Sequence, residues 1–414
     1  MISNALSTLL ARPRWQITLG IVVIAQVLSA VGFSIIFPFL PLYVAELGTN
    51  TSLSIEFWAG MVFSAQGFTM MLAAPIWGAL ADRYGRKLMV ERATFGAAIL
   101  LFLMGYVNSA EELVLLRALQ GLVTGTVSAA NALIAAEAPR ERTGFAMGAI
   151  QVGLWGGIAL GPLIGGILSD AYGFRAPFIL TSILLAFAGI LVMVGVRENF
   201  QPDEQEKAKR TGIIAAWRHI LGAAGVKPVY IIRFMTGLTR TIIVPIAPLF
   251  IASLVVESDS QGTYTGLMVG ASSAAASFSA VYLGRLGDRI GHRKILLGSA
   301  IFALITYIPQ AFVSDAWQLI ALQAATGLAM GGMIAAPSAM IAGYTQRGEE
   351  GAAYGLDNSI VAASRAVAPL ISATIATWFG LRVTFLTAAL LFAVITFITW
   401  RWLPQTLQLE TSSS

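Results

Sequence analysis

Six ionisable side chains lie in stretches otherwise too apolar to hold them: Arg117, Glu137, Arg233, Arg240, Asp357 and Arg365. A carboxylate in such surroundings can take up and release a proton near neutrality, because burial penalises its charged form. Asp357 and Glu137 are therefore proton-coupling candidates, with Arg117 as a third. An arginine at the centre of a bilayer costs about 2.5 kcal/mol or more, so it faces a cavity or a partner. Arg240 and Arg365 sit deep in their runs and suit the holding of an anion. Arg233, nearer an inner end, has a stem long enough to snorkel to the interface. Asp357 precedes Arg365 by about two helical turns on one face. Glu137 is followed by "APRER", where a loop ion pair competes for it.

Other chemistry is poorly represented. The chain has no Cys, and its two histidines, His219 and His292, stand far apart in charged segments, so no metal site suggests itself. Neither a phosphate-binding loop nor a nucleophile arrangement appears. No cofactor and no enzyme chemistry are therefore expected, and any energy used must come from gradients.

What must position these groups is a membrane. Of 414 residues, 57% are hydrophobic and 11% charged, against about 25% charged in a soluble chain. Apolar runs of about 20 residues, enough to cross a bilayer core, recur at 17–44, 56–80, 88–107, 111–136, 144–168, 175–196, 228–256, 263–284, 295–313, 316–342, 352–378 and 382–402. The first is too long and too rich in Pro for a cleaved signal peptide. With the N-terminus inside, twenty of the 26 Lys and Arg fall at inner ends, and the outer loops hold Arg175 and Arg382. The positive-inside rule then sets the orientation. The same scatter excludes a nucleic-acid patch. Residues 197–227 form a linker, whose Ile213, Ile214, Trp217, Ile220 and Leu221 share an apolar face opposite Arg218 and His219. That piece is expected on the inner membrane surface.

The chain repeats itself. "IIFPFLPLYV" (35–44) returns as "IIVPIAPLFI" (242–251), "GALADRYGRK" (78–87) as "GRLGDRIGHRK" (284–294), and "LRALQGLVTG" (116–125) as "LQAATGLAMG" (322–331), at offsets of 206–207. Two six-helix halves, 1–196 and 228–414, result from duplication. The expected fold is an all-α integral membrane protein of twelve transmembrane helices in two pseudo-symmetric six-helix halves. Pro38, Pro41, Pro245 and Pro248 each remove a backbone donor, so spans 1 and 7 should kink at matching places.

On these phrases the chain resembles the major facilitator superfamily over essentially its whole length. Gly78, Leu80, Ala81, Asp82, Arg83, Gly85, Arg86 and Lys87 match its inner-loop signature; Arg117, Gln120 and Gly121 match the span-4 signature. "GLWGGIALGPLIGG" (153–166) is similar to the span-5 signature of drug:proton antiporters, through Gly153, Gly157, Gly161, Pro162, Gly165 and Gly166. The span-11 counterpart keeps Pro369 but not the glycines. The resemblance implies a conformational latch at Gly78, Asp82, Arg83, Gly85 and Arg86, repeated at Asp288, Arg289 and Gly291. It also implies a central cavity lined by Gln26, Phe33, Phe37, Arg117, Thr124, Ser128, Asn131, Arg240, Gln323, Met330, Met333, Asn358 and Arg365. The bare glycine stripe of span 5 lets helices approach closely, and "GASSAAASFSA" (270–280) of span 8 offers a partner.

The implied function is secondary active export of small amphiphilic compounds or drugs by alternating access, in exchange for protons. The implied setting is a monomer in the lipid bilayer of a bacterial inner membrane, both termini cytoplasmic. No acid lies in span 1 or deep in span 4, where many relatives carry one, so proton coupling falls on Asp357 or Glu137. A uniporter or lipid/anion flippase of the same fold is the alternative, and a non-transport receptor or scaffold the least favoured. The mid-membrane arginines imply a preference for anionic or zwitterionic amphiphiles.

Overall fold

The computed structural model describes residues 14–123, 125–137, 139, 142–198, 213–222, 226–255, 260–344 and 350–403. Their regular structure is sixteen helices. The first half runs α1 (Arg14–Ile36), α2 (Leu40–Leu47), α3 (Ile55–Tyr84), α4 (Arg86–Met104), α5 (Ala110–Val123), α6 (Thr126–Glu137), α7 (Thr143–Tyr172) and α8 (Arg175–Gly195). After the linker helix α9 (Ile213–Gly222) come α10 (Val226–Ile242), α11 (Ala247–Leu254), α12 (Gln261–Ile290), α13 (His292–Gln310), α14 (Ala316–Tyr344), α15 (Glu350–Phe379) and α16 (Leu381–Trp402). Eight segments are long and apolar enough to cross a membrane by length and composition alone. The 19-residue α4 and α13 open on basic residues instead, Arg86 and Lys87 in one, His292, Arg293 and Lys294 in the other.

The chain divides into two compact units. One comprises Met1–Trp58, Ala65–Lys207 and Asp259–Gly266; the other comprises Ala59–Ser64, Ala208–Ser258 and Leu267–Ser414. Within the first, α1 packs on α7 and α8, and α4 on α8; within the second, α10 packs on α15 and α16, and α13 on α16. The scheme is the same at the offset of the repeat. Linker helix α9 belongs to the second unit, where it packs on α10 and α15 with Ile220 buried.

The paired prolines break spans 1 and 7 at matching points. Residues 37–39 separate α1 from α2, and 243–246 separate α10 from α11. Pro41 and Pro248 then open the new helices, where a missing N–H costs nothing. Span 4, expected to be continuous, is also broken. Gly125 adopts φ 143°, a conformation that L side chains avoid, between α5 and α6. The Leu122 carbonyl, which a continuous helix would bond to residue 126, instead accepts a hydrogen bond from the Trp77 indole at 2.6 Å. Its counterpart α14 runs unbroken through Gly331.

Candidate functional site

The loops after the second and eighth spans are closely duplicated. Gly85 and Gly291 sit at φ 96° and 97°, so a side chain at either would strain the turn. The Glu198 carboxylate accepts from the backbone N–H groups of Arg86 (3.0 Å) and Lys87 (2.8 Å), capping the start of α4. Lys87 Nζ donates to the Met193 carbonyl at 2.9 Å and lies 3.5 Å from Glu91. At the equivalent position Arg293 donates to the Thr399 and Trp400 carbonyls. Each basic residue thus ties the third span of its half to the sixth. The exposed Asp288 pairs with His292 of its own loop at 3.3 Å, a contact worth about 0–1 kcal/mol. The side chains of Gly78, Asp82 and Arg83 lie outside the described residues. Gly85 is buried, Arg86 half-buried, and Arg289 exposed.

Four span-5 glycines, Gly153, Gly157, Gly161 and Gly165, face α1. A β-carbon on Gly157 would stand 2.6 Å from that of Ala30 and 2.9 Å from the Val27 carbonyl oxygen. Gly153 lies against Val23 and Val27, Gly161 against Val31 and Ser34, and Gly165 against Ile35 and Phe39. Ser34 also donates toward the Gly157 carbonyl at 3.0 Å. Pro162 and the next glycine, Gly166, reach α12 only at its first turns, through Gly266 and Gly262. There the Asp170 carboxylate accepts from the N–H groups of Gly262 (2.9 Å) and Thr263 (2.6 Å). The small residues of span 8 face α14 instead: Gly327 abuts Ser272, and Gly331 abuts Ser279.

Two of the polar cavity candidates, Arg117 and Gln323, are engaged with near neighbours. Arg117 is buried and donates to Gln120 Oε1 at 2.7 Å. Gln323 donates to Gln310 (3.0 Å), Gln310 to Thr326 (2.9 Å), and Thr326 bonds Thr306 (3.0 Å), a buried chain between α13 and α14. Met330 and Met333 are buried as well. Gln323, Met330 and Met333 are thus buried within the second unit. Gln26 is buried beside a cavity of about 10 Å³ that Thr94 and Thr126 also line, room for about one water. Phe37 is exposed, Phe33 and Asn131 half-buried, and the Asn131 Oδ1 has no hydrogen-bond partner among the described residues. Glu137, half-buried, ends α6. Thr124 and the side chains of Ser128 and Asn358 lie outside the described residues.

Charge gathers in the second unit. Arg233 does not snorkel. Its Nε meets Asp357 Oδ1 at 2.8 Å and its Nη2 meets Oδ2 at 3.0 Å, the fork-to-carboxylate geometry of a strong pair. Asp357 is the one buried carboxylate among the described residues, 7% exposed. The pair joins α10 to α15. Arg240, two turns beyond Arg233 on α10, lies within electrostatic range of Arg233, Arg365 and Tyr307. Arg240 and Arg365 are both exposed. Three cations and one acid thus share one pair of helices. Sequence spacing linked Asp357 to Arg365; the fold gives its carboxylate to Arg233, 124 residues away, and no local pattern signals that.

A duplicated helical scaffold, broken by proline at matching points and holding few ionisable groups, defines a membrane transporter rather than an enzyme. The chain belongs to the Major Facilitator Superfamily, whose pattern matches residues 22–226 and 229–413. It is 34% identical over 380 residues to the multidrug resistance protein MdtG of Enterobacter lignolyticus, covering 91% of this chain and 90% of that one. MdtG of Citrobacter koseri is likewise 34% identical over 379 residues, with 91% and 92% covered. Among solved structures, a bacterial homologue of the human lysosomal transporter Spinster superposes with TM-score 0.78 at 13% identity, covering 94% of this chain and 97% of its own. The nucleoside transporter NupG superposes at 0.77 and 13% identity, with 92% and 98% covered. The protein is an integral membrane transporter of this superfamily.

Proposed function

We propose that the protein exports small amphiphilic compounds by alternating access, in exchange for protons carried by Asp357. Similarity to the MdtG multidrug resistance proteins supports export. The observation that carries the site assignment is the buried Asp357 carboxylate beside Arg233, with Arg240 and Arg365 on the same two helices. The basic loops support an orientation with both termini cytoplasmic, and similarity to bacterial proteins supports a bacterial inner membrane; a monomer is part of the proposal.

Arginines deep in a span with no acidic partner among the described residues suit a bound anionic group, so anionic and zwitterionic amphiphiles are the preferred cargo. The sign of coupling favours the zwitterion. Exchange requires that cargo and proton oppose each other. A bare anion would attract a proton to Asp357, whereas an ammonium placed near that carboxylate would displace one. A phosphate on Arg240 and Arg365 with its ammonium toward Asp357 satisfies both.

The test is export from proteoliposomes of octylphosphonate, octylphosphocholine and octyltrimethylammonium, with and without a pH gradient. Gradient-driven export with octylphosphocholine fastest supports the proposal. Export indifferent to the gradient would favour an uncoupled uniporter or flippase, a reading to which the ion pair at Asp357 also lends itself. In Arg240→Gln and Arg365→Gln, export of the phosphonate should fall more than that of the ammonium. Equal loss would remove the charge preference.

A further inference from the structure

We infer that the break in span 4 is built around a water site. One buried water, held by Gln26, Thr94 and Thr126, serves the start of α6, while the Trp77 indole serves the end of α5. The site requires neither export nor proton exchange. Gln26 is 3% exposed and makes no hydrogen bond among the described residues, yet it lines the small cavity beside α6. Buried amides are hydrogen-bonded as a rule, to protein or to ordered water. At about 10 Å³ the cavity has room for a single water.

Four buried polar side chains, Gln26, Ser29, Thr94 and Thr126, line that space. The Thr94 hydroxyl already donates to the Val90 and Glu91 carbonyls, at 2.8 and 3.0 Å, so toward the cavity it can only accept. Thr126 opens α6, and the first amides of a helix have no partner within it. Gln26 brings both donors and an acceptor. A water that donates to Thr94 and to the Gln26 carbonyl while accepting from Thr126 makes about three bonds, the usual number for a buried water.

On the other side of Gly125 the Leu122 carbonyl accepts from the Trp77 indole at 2.6 Å, and the Arg92 guanidinium lies 3.3 Å over the centre of that ring. Both ends of the break are thus served from neighbouring helices, in an apolar layer where unsatisfied backbone groups are costly. The second unit is the natural control. At the offsets of the repeat, Trp77, Arg92, Gln26, Thr94 and Thr126 become Leu283, Gly298, Arg233, Ala300 and Gly332. There α14 runs unbroken. Gly125 itself is kept as Gly331, so glycine alone does not divide the span.

The test is thermal melting in detergent of wild type, Gln26→Leu, Thr126→Val and the double variant, together with amide hydrogen exchange at the start of α6. Each single variant takes a partner from the water and should melt below wild type. The double should lose less than the sum, because both act through one water. Burying an amide without a partner is costly, so in the absence of the water Gln26→Leu would melt at or above wild type. Such melting, or additive losses, overturns the inference. If Gln26→Leu does not fold, Thr94→Val with Thr126→Val supplies the same cycle, and additive losses overturn it there too. Trp77→Phe keeps the ring but frees the Leu122 carbonyl to take the Thr126 amide. Exchange at Thr126 should then slow toward that of Gly332 in α14, and exchange unchanged from wild type overturns the role given to the indole.

Discussion

At one corner of the first unit, the buried Tyr43 ring lies tilted against Phe178 at 5.0 Å and donates its hydroxyl to the Met104 carbonyl at 3.1 Å. At the repeat offset, Phe250 lies tilted against Phe385 at 5.1 Å and has no hydroxyl to give. Arg382 lies over the Phe250 ring instead and donates to the equivalent Ala311 carbonyl at 2.9 Å. The same carbonyl is satisfied twice by different donors. Below each corner the exchange continues. Gly165 lies against the Ile35 carbonyl; its counterpart Ser372 donates to the matching Ile242 carbonyl, left free by the proline break. Gly157 yields to Ala30, whereas Gly237 yields to Ser364. Duplication has kept the backbone and its hydrogen-bond accounting while letting side chains trade places. The charge was not kept. Where the second unit has Arg233 and Arg240, the first has Gln26 and Phe33. The second unit alone pairs a buried carboxylate with arginines on two packed helices among the described residues.

The comparison breaks most sharply at the glycines. Gly157→Val drives a branched side chain into the α1 backbone and should destabilise the protein by about 3 kcal/mol, the upper range for overpacking. Thermal unfolding in detergent should show it, and Ser364→Gly in the second half should cost far less. Ser372→Ala leaves a buried carbonyl without its donor and should cost about 2 kcal/mol. Equal melting of wild type and this variant would mean that the Ile242 carbonyl finds another partner. Tyr43→Phe removes one hydroxyl donor and should cost about 1 kcal/mol. Phe250→Tyr should gain nothing, because Arg382 already serves the matching carbonyl. Smallest is Glu198→Gln, which weakens a carboxylate cap and should cost about 0.5 kcal/mol, shrinking further in high salt.

The repeat, the proline breaks and the membrane class were legible because each is written in periodicity or in adjacent residues. Pro38 and Pro41 announce a broken span without help from any neighbour. The break in span 4 was not, since "LVTGTVS" and its unbroken counterpart "LAMGGMI" both hold glycine. What separates them is tertiary: the Trp77 indole takes the Leu122 carbonyl, and the position of Trp77 is filled by Leu283 in the other half. The partner of the glycine stripe was misread for a similar reason. A stripe says that something approaches closely, not which helix does so. Asp357 was singled out for its rarity, while Arg233 became legible only once α10 and α15 were placed side by side.

The central claim is that the charged half moves a proton through a single carboxylate. Proton release from purified, weakly buffered protein on adding octylphosphocholine tests it most directly. The account predicts about one proton per bound amphiphile, abolished in Asp357→Asn. Release that persists unchanged in Asp357→Asn would contradict it.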